Sequence, residues 1–388
     1  MDMSKAFDMV KHSILFTKLM KVGIPFIFLR LLMFIYINQY ANVKWNGTHS
    51  SMFSLSNGVR QGGVISALLY CFYGNELFDI LRKSGYGCWL NGNFHGLFGY
   101  SDDNLLLAPS VYALQKMLRI CEKFANDHNL KFSTDRDPEK CKTKCTSFLR
   151  KSSLGTNDDI WLCGNRLPWV EQFKHLGNTI TSKFPYTEQD ILVKRAQFIS
   201  KSLELNQEFA FASCRTKFEI NGIYNSHFYG SPLWDLGGNS ATSYESTYNR
   251  GIRVIFNLPM TTHRNLIVPV SRHMHLRQTL VSRFLGFVDQ IRSSKKTIPR
   301  MLLYHIKYDV RSTTGKNLRN ILLQTGKDNV EDLCKADSRS IKYHPIEKEE
   351  EWKVGLLNDL VDIRDGRQHL EGFSDDEMCS LINFICTS

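Results

Sequence analysis

A chain of 388 residues is long enough for two or three domains, each with a core of its own. Hydrophobic residues make up 43% of it and aromatics 12%, with only ten prolines, which excludes a disordered or fibrous chain. The net charge of +11 points to a polyanionic partner without naming one. Asp2 and Asp8 stand where a basic signal-peptide region would have to be. The apolar run 26–37 is too short to span a bilayer and contains Arg30, so the expected location is the nucleus or cytoplasm, with no membrane. The ten cysteines include no C-x-x-C pair, and Cys141 and Cys145 lack partners at zinc-finger spacing. They read as reduced, mostly buried thiols, with no structural zinc.

In chain order, Leu15, Leu19 and Val22 share a helical face. Gly23 closes that helix and Pro25 opens a second one over 26–37, expected to be buried. Val43 and Trp45, then Phe53 and Leu55, alternate on either side of Asn46-Gly47, the pattern of a β-hairpin. A helix is expected from about 64 to 83. The runs 92–100 and 104–108 read as strands flanking Asp102-Asp103. Ser110 caps a helix with the stripe Leu114, Met117, Leu118, Cys121 and Phe124. Strands are expected over 143–149 and 160–163, the second turning at Gly164-Asn165 and returning through Trp169 towards 175–181.

After about 184 the pattern is helical. Leu192, Ala196, Ile199 and Leu203 form one stripe, with Lys194, Arg195 and Lys201 off it. Further helical segments cover 222–229, 244–256 and 277–291. Trp161, Trp169 and Trp234 read as core aromatics ahead of base-stacking platforms. His273 and His275 are two apart in a helical region, which puts them on different faces and speaks against a zinc pair. Beyond 293, basic and acidic patches alternate without a motif.

An Asp-Asp dipeptide alone is an ordinary turn. The argument comes from order: DMSKAFD at 2–8, GVRQGG at 58–63 and YSDD at 100–103. Phosphoryl transfer to a primer 3′-hydroxyl takes two divalent ions roughly 3.5–4 Å apart. Hard cations take carboxylate oxygens from rigid elements, and Asp2 and Asp102 would supply them from neighbouring strands.

These segments resemble the reverse transcriptases of non-LTR retrotransposons, LINE- or jockey-like, with five motifs in family order across 2–182. The resemblance implies an α+β fold: a polymerase palm over 1–183 (an antiparallel sheet with packed helices), a helical thumb and post-thumb over 184–292, and a C-terminal helical region over 293–388. It implies RNA-directed DNA polymerisation with two Mg²⁺ ions, on an RNA template with a DNA primer and deoxynucleoside triphosphates. Asp2, Asp102 and Asp103 would be the catalytic metal ligands. Phe7 falls on the aromatic gate that rejects a 2′-hydroxyl, and Gln61, Gly62, Gly63, Tyr100 and Lys142 on the nucleotide pocket. Residues 130–148 resemble the fourth motif and His175-Leu176-Gly177 the primer grip. By analogy with such thumbs, Lys194, Arg195 and Lys201 would meet phosphates.

Ser101 and Ala67 depart from the family's usual alanine and proline. Only Met1 precedes Asp2 in this sequence, and it holds neither the family's fingers nor its endonuclease. The expectations are therefore a poorly held Asp2 and weak or lost polymerisation, with non-catalytic nucleic-acid binding as the alternative.

Overall fold

The computed structural model describes residues 1–148, 159–183, 186–224, 228–262, 266–267, 276–325 and 327. Helices mix with small two-stranded sheets, so the fold class is α+β. Two compact units divide the chain, Met1–Leu176 and Gly177–Ser388. The division falls at Leu176-Gly177, both left-handed (φ +46° and +78°), between strands Gln172–His175 and Asn178–Thr181.

Five helices build the first unit: α1 (His12–Lys21), α2 (Phe26–Ile37), α3 (Ser66–Gly74), α4 (Glu76–Lys83) and α5 (Val111–Asp127). Ser110 caps α5, its hydroxyl accepting from the Ala113 N–H at 3.2 Å. Met117, Leu118, Cys121 and Phe124 then face one core, shared with Leu15 and Leu19 of α1 and with Tyr73, Leu77 and Leu81. Val22, expected on the α1 stripe, follows the last helical residue as C-cap and is exposed. The single helix expected over 64–83 is two helices that meet at Asn75, because Gly74 and Asn75 are weak helix formers.

The α2 helix corrects a larger expectation. Only Leu29 and Tyr36 are buried, while Phe26, Ile27, Phe28, Leu31 and Phe34 are more than half exposed. One stripe packs on α1, with Tyr36 against the rings of His12 and Phe16. A sequence that is apolar all round does not say how many of its sides meet a partner.

The hairpin after α2 forms around Asn46 (φ +47°) and Gly47 (φ +83°), the left-handed pair that a two-residue turn requires. Tyr40–Ala41 pairs with Phe53–Ser54 at its far end. Between 143 and 148 no strand forms among the described residues. Cys145 makes a single parallel bridge to Trp169 instead. Trp161–Leu162 pairs with Asn165–Arg166 around Cys163-Gly164, one residue earlier than expected, with Cys163 tolerating φ +51°. Trp161 is half exposed and so is not a core aromatic.

Among the described residues of the second unit the main helices are α6 (Glu188–Glu208), α7 (Cys214–Tyr224), α8 (Asn239–Ile255), α9 (Leu276–Ser293), α10 (Thr297–Tyr308) and α11 (Thr313–Thr325). The buried face of α6 is Ile191, Lys194, Phe198, Ser202 and Leu205, which overturns the expected stripe of Leu192, Ala196, Ile199 and Leu203. Close approach of α8 decides the difference: a Cβ on Gly251 would lie 2.4 Å from the Phe198 ring. The two polar residues on the packed face are satisfied in place. Lys194 Nζ donates to the Gly177 carbonyl at 3.1 Å and Ser202 Oγ to that of Phe198 at 2.8 Å.

A buried carboxylate anchors α6. Asp190 accepts from the Thr179 N–H at 2.8 Å and from Nε1 of the wholly buried Trp234 at 2.9 Å. Replacing Asp190 with Ala strands both donors, and each buried unsatisfied donor costs roughly 1–3 kcal/mol. The Asp190→Ala variant should therefore unfold at a clearly lower urea concentration. An unchanged midpoint would mean that water takes over both bonds.

Where α1, α4 and α5 meet, Lys18 bridges Glu76 at 3.1 Å and His128 stacks on Phe124 with ring centroids 3.9 Å apart. Burial pushes the His128 imidazole below its ordinary 6.5, and the Lys18 charge pushes it further. The unfolded chain therefore takes up this proton first as pH falls. Stability from this site is complete above 6.5 and declines as pH drops below it. Urea midpoints measured from pH 8 to 5.5 should fall on the acid side in the native chain and flatten there in His128→Gln.

Candidate active site

Asp2 sits in the middle of a short three-stranded arrangement. On one side the Met1 α-ammonium donates to the Asn104 carbonyl at 2.6 Å, and the Asn104 N–H returns to the Met1 carbonyl at 3.2 Å. On the other, Ser133 N–H donates to the Asp2 carbonyl and Ser4 N–H to that of Lys131, both at 2.8 Å, with Met3 bridged antiparallel to Phe132. The Asp2 N–H itself donates to Oγ1 of the buried Thr143 at 3.2 Å. The expectation of a frayed, poorly held Asp2 is thus overturned, because main-chain bonds to two segments fix it.

Asn104 belongs to the hairpin Leu97–Tyr100/Asp103–Leu106, whose register pairs Tyr100 with Asp103. Ser101 takes φ +58° in the turn, a strain alanine would share, but its buried hydroxyl has no hydrogen-bond partner among the described residues, a cost alanine would not carry. Asp103 and Asp2 line a common cavity of about 940 Å³, together with Lys142, Phe173 and His175. Burial pushes the His175 imidazole down, with the Asp103 charge opposing.

Asp102, at the turn, is not part of that lining. Its charge instead bears on Tyr70, whose hydroxyl is pushed up chiefly by burial. Among the described residues no three His, Cys, Asp or Glu side chains converge to hold a metal ion. Asp2 and Asp103 share that lining, and Asp102 stands beside Asp103 at the turn. Two hard carboxylates suit a divalent cation in kind, but the arrangement lacks the third donor.

A second group forms around Phe7, which stacks on Tyr70 with centroids 5.1 Å apart and planes 14° from parallel. The Tyr70 hydroxyl donates to Met3 Sδ at 2.9 Å, tying this ring to the strand that carries Asp2. The glycine-rich loop is bound to the same segment. Gly58 N–H donates to the Val10 carbonyl and Val59 N–H to that of Phe7, both at 2.8 Å. Gly58 has φ +91°, and a Cβ there would sit 3.2 Å from the Asp8 backbone. Gln61 and Gly62 are exposed beyond this anchor, as are Tyr100 and Lys142.

Residues 1–180 match the family model described as reverse transcriptase (RNA-dependent DNA polymerase). Residues 1–180 are a reverse transcriptase domain. The chain is similar to a retrovirus-related Pol polyprotein from the type-2 retrotransposable element R2DM of Drosophila melanogaster, 26% identical over 47% of this chain. It is also similar to a retrovirus-related Pol polyprotein from the type-1 retrotransposable element R2 of Nasonia vitripennis, 27% identical over 48%. The chain spans less than a fifth of either relative, 17% and 18% of their lengths.

Outside the reverse transcriptase domain the expected phosphate contacts fare differently. Lys194 is only 6% exposed and is committed to the Gly177 carbonyl. The Arg195 guanidinium donates to the Ser243 hydroxyl, and Lys201 pairs with Glu204 at 2.6 Å. Packing of α6 turns Lys194 inward, while the Lys201–Glu204 pair lies on its exposed face. His273 and His275 lie outside the described residues. No helix among the described residues is long and apolar enough to cross a membrane. Sequence reasoning passed over Tyr70, which reads as one more apolar position of a helix, although it backs the Phe7 ring.

The Gly58 anchor gives a direct test. Gly58→Ala forces a Cβ into a left-handed residue against the Asp8 backbone, a strain on the order of 1–3 kcal/mol. Urea unfolding should register that loss. Gly47→Ala, also left-handed but with open space around its Cβ position, should cost less.

Proposed function

We propose that the reverse transcriptase domain is the palm of an RNA-directed DNA polymerase, spanning 1–183, with a helical thumb and post-thumb over 184–292. Its substrates in this reading are an RNA template, a DNA primer and deoxynucleoside triphosphates, in the nucleus or cytoplasm. The observation that carries the reading is the fixing of Asp2 and Asp103, a hundred residues apart, on one cavity through the Met1–Asn104 bonds.

Each part of the domain has a role in this reading. Asp2, Asp102 and Asp103 are the catalytic carboxylates, Asp2 and Asp103 on the cavity and Asp102 beside them at the turn. Phe7, held flat on Tyr70, forms a rigid wall against which a nucleotide sugar would rest. The loop carrying Gln61, Gly62 and Gly63 is anchored at Gly58 and exposed at its tip, free to follow a template. Lys142 on the cavity lining and Tyr100, exposed opposite Asp103 in the hairpin, complete the nucleotide pocket. Magnesium ions, the proposed cofactor, neutralise the phosphates and lower the hydroxyl pKa in this class of reaction. Because the arrangement described above lacks a third donor, no catalytic step is assigned to them here. The lack of three converging donors among the described residues favours a second reading, a domain that binds nucleic acid without transferring nucleotides.

Primer extension on an RNA template with Mg²⁺, run beside the Asp102→Ala/Asp103→Ala double variant, separates the two. The polymerase reading expects extension to fall by roughly a hundredfold or more in the variant. Extension in the native chain no greater than in the variant would overturn it. Equal retention of primer–template by both proteins would then favour the binding reading.

A further inference from the structure

With Lys194, Arg195 and Lys201 engaged inside their own unit, the basic excess of the second unit must find its use elsewhere. Residues 295–311 carry Lys295, Lys296, Arg300, Lys307 and Arg311 against a single acid, Asp309. That acid is spent on its own turn, its carboxylate accepting from the Arg311 N–H at 3.1 Å. No ion pair engages Lys296, Arg300 or Arg311 among the described residues.

The orientation of α10 is fixed from its inner side. Ile306 is 1% exposed and belongs to a core with Val288, Leu318 and Ile321, with Leu303 packed against it. At 3.6 residues per turn, Arg300, Tyr304, Lys307 and Tyr308 fall within about 100° of arc on the opposite side. Tyr304 and Tyr308 are 62% and 67% exposed, and their rings lie 4.7 Å apart. Neither hydroxyl nor ring is drawn into the core, although two adjacent exposed tyrosines forgo considerable burial.

Cations beside exposed aromatic rings suit one kind of ligand best. Phosphates meet the lysines and arginines, while unpaired bases stack on the rings. A duplex keeps its bases stacked internally and could use only the charges. We propose that the outer face of α10, Arg300–Tyr304–Tyr308 with Lys296 and Arg311 at its ends, is a binding site for single-stranded nucleic acid. The site stands apart from the polymerase reading and holds whether or not the first unit transfers nucleotides.

The test is fluorescence anisotropy of the full chain with a labelled oligouridylate of about 16 nucleotides, its oligothymidylate counterpart and a duplex, without divalent ions or nucleotides. Tyr304→Ala/Tyr308→Ala should weaken single-strand binding by about thirtyfold or more, at 1–3 kcal/mol per stacked base. It should leave duplex binding unchanged. Lys296→Gln/Arg300→Gln/Arg311→Gln should lower the log–log salt slope on single strands by about 2, three phosphates at roughly 0.7 each. All these side chains lie outside the core, and urea unfolding of both variants at the native midpoint establishes that the fold persists. Native affinity and salt slope in both variants would overturn the proposal. So would equal weakening of duplex and single strand by the tyrosine variant, since that would remove base stacking. Loss with RNA alone or with DNA alone supports the site and identifies its sugar preference.

Discussion

The first unit depends on the main-chain pairing of residues 1–4 with Asn104 on one side and Lys131–Ser133 on the other. A carboxylate can act at a reaction centre only if its backbone is held to a fraction of an ångström, and side chains near a chain end do not meet that condition unaided. Here the bonds come from two segments at opposite ends of α5, so the hairpin, the helix and the strand after it are locked to one another through four residues. The cavity lined by Asp2 and Asp103 follows from that lock.

The second constraint is steric. The Phe7–Val10 segment accepts two N–H bonds from Gly58 and Val59, and only a residue without Cβ fits the left-handed approach at Gly58. Phe7 is thereby held from its backbone, and from its ring by Tyr70, whose hydroxyl reaches back to Met3. The aromatic wall, the glycine-rich loop and the aspartate strand form one connected group. Gln61 and Gly62 can project from it because the strain is confined to the anchor.

In the second unit, packing overrides hydrophobic pattern. Close contact between α6 and α8 at Gly251 places Phe198 inward, and Lys194 and Ser202 go with it because each finds a carbonyl. Asp190 is buried for a related reason: a carboxylate that satisfies a backbone N–H and the Trp234 indole is retained where an apolar residue would leave both unpaired. The cationic surface then lies farther along the chain, on α10, where Ile306 and Leu303 fix which way the helix faces.

Local rules made much of this legible in advance. The Ser110 cap, the stripe of Met117, Leu118, Cys121 and Phe124, the Asn46-Gly47 turn and the Gly23-Pro25 break are decisions of backbone conformation within a few residues, and they appear where the sequence puts them. The motifs around Asp2, Gly58 and Asp103 identified the family because their residue types and order are written in the sequence. Partners distant along the chain decided the rest. Whether α2 is covered, which face of α6 is inward and whether Asp2 is held all depend on what a second segment places opposite. Periodicity records how apolar a face is, while burial, register and the direction of a side chain are set by the neighbour that meets it.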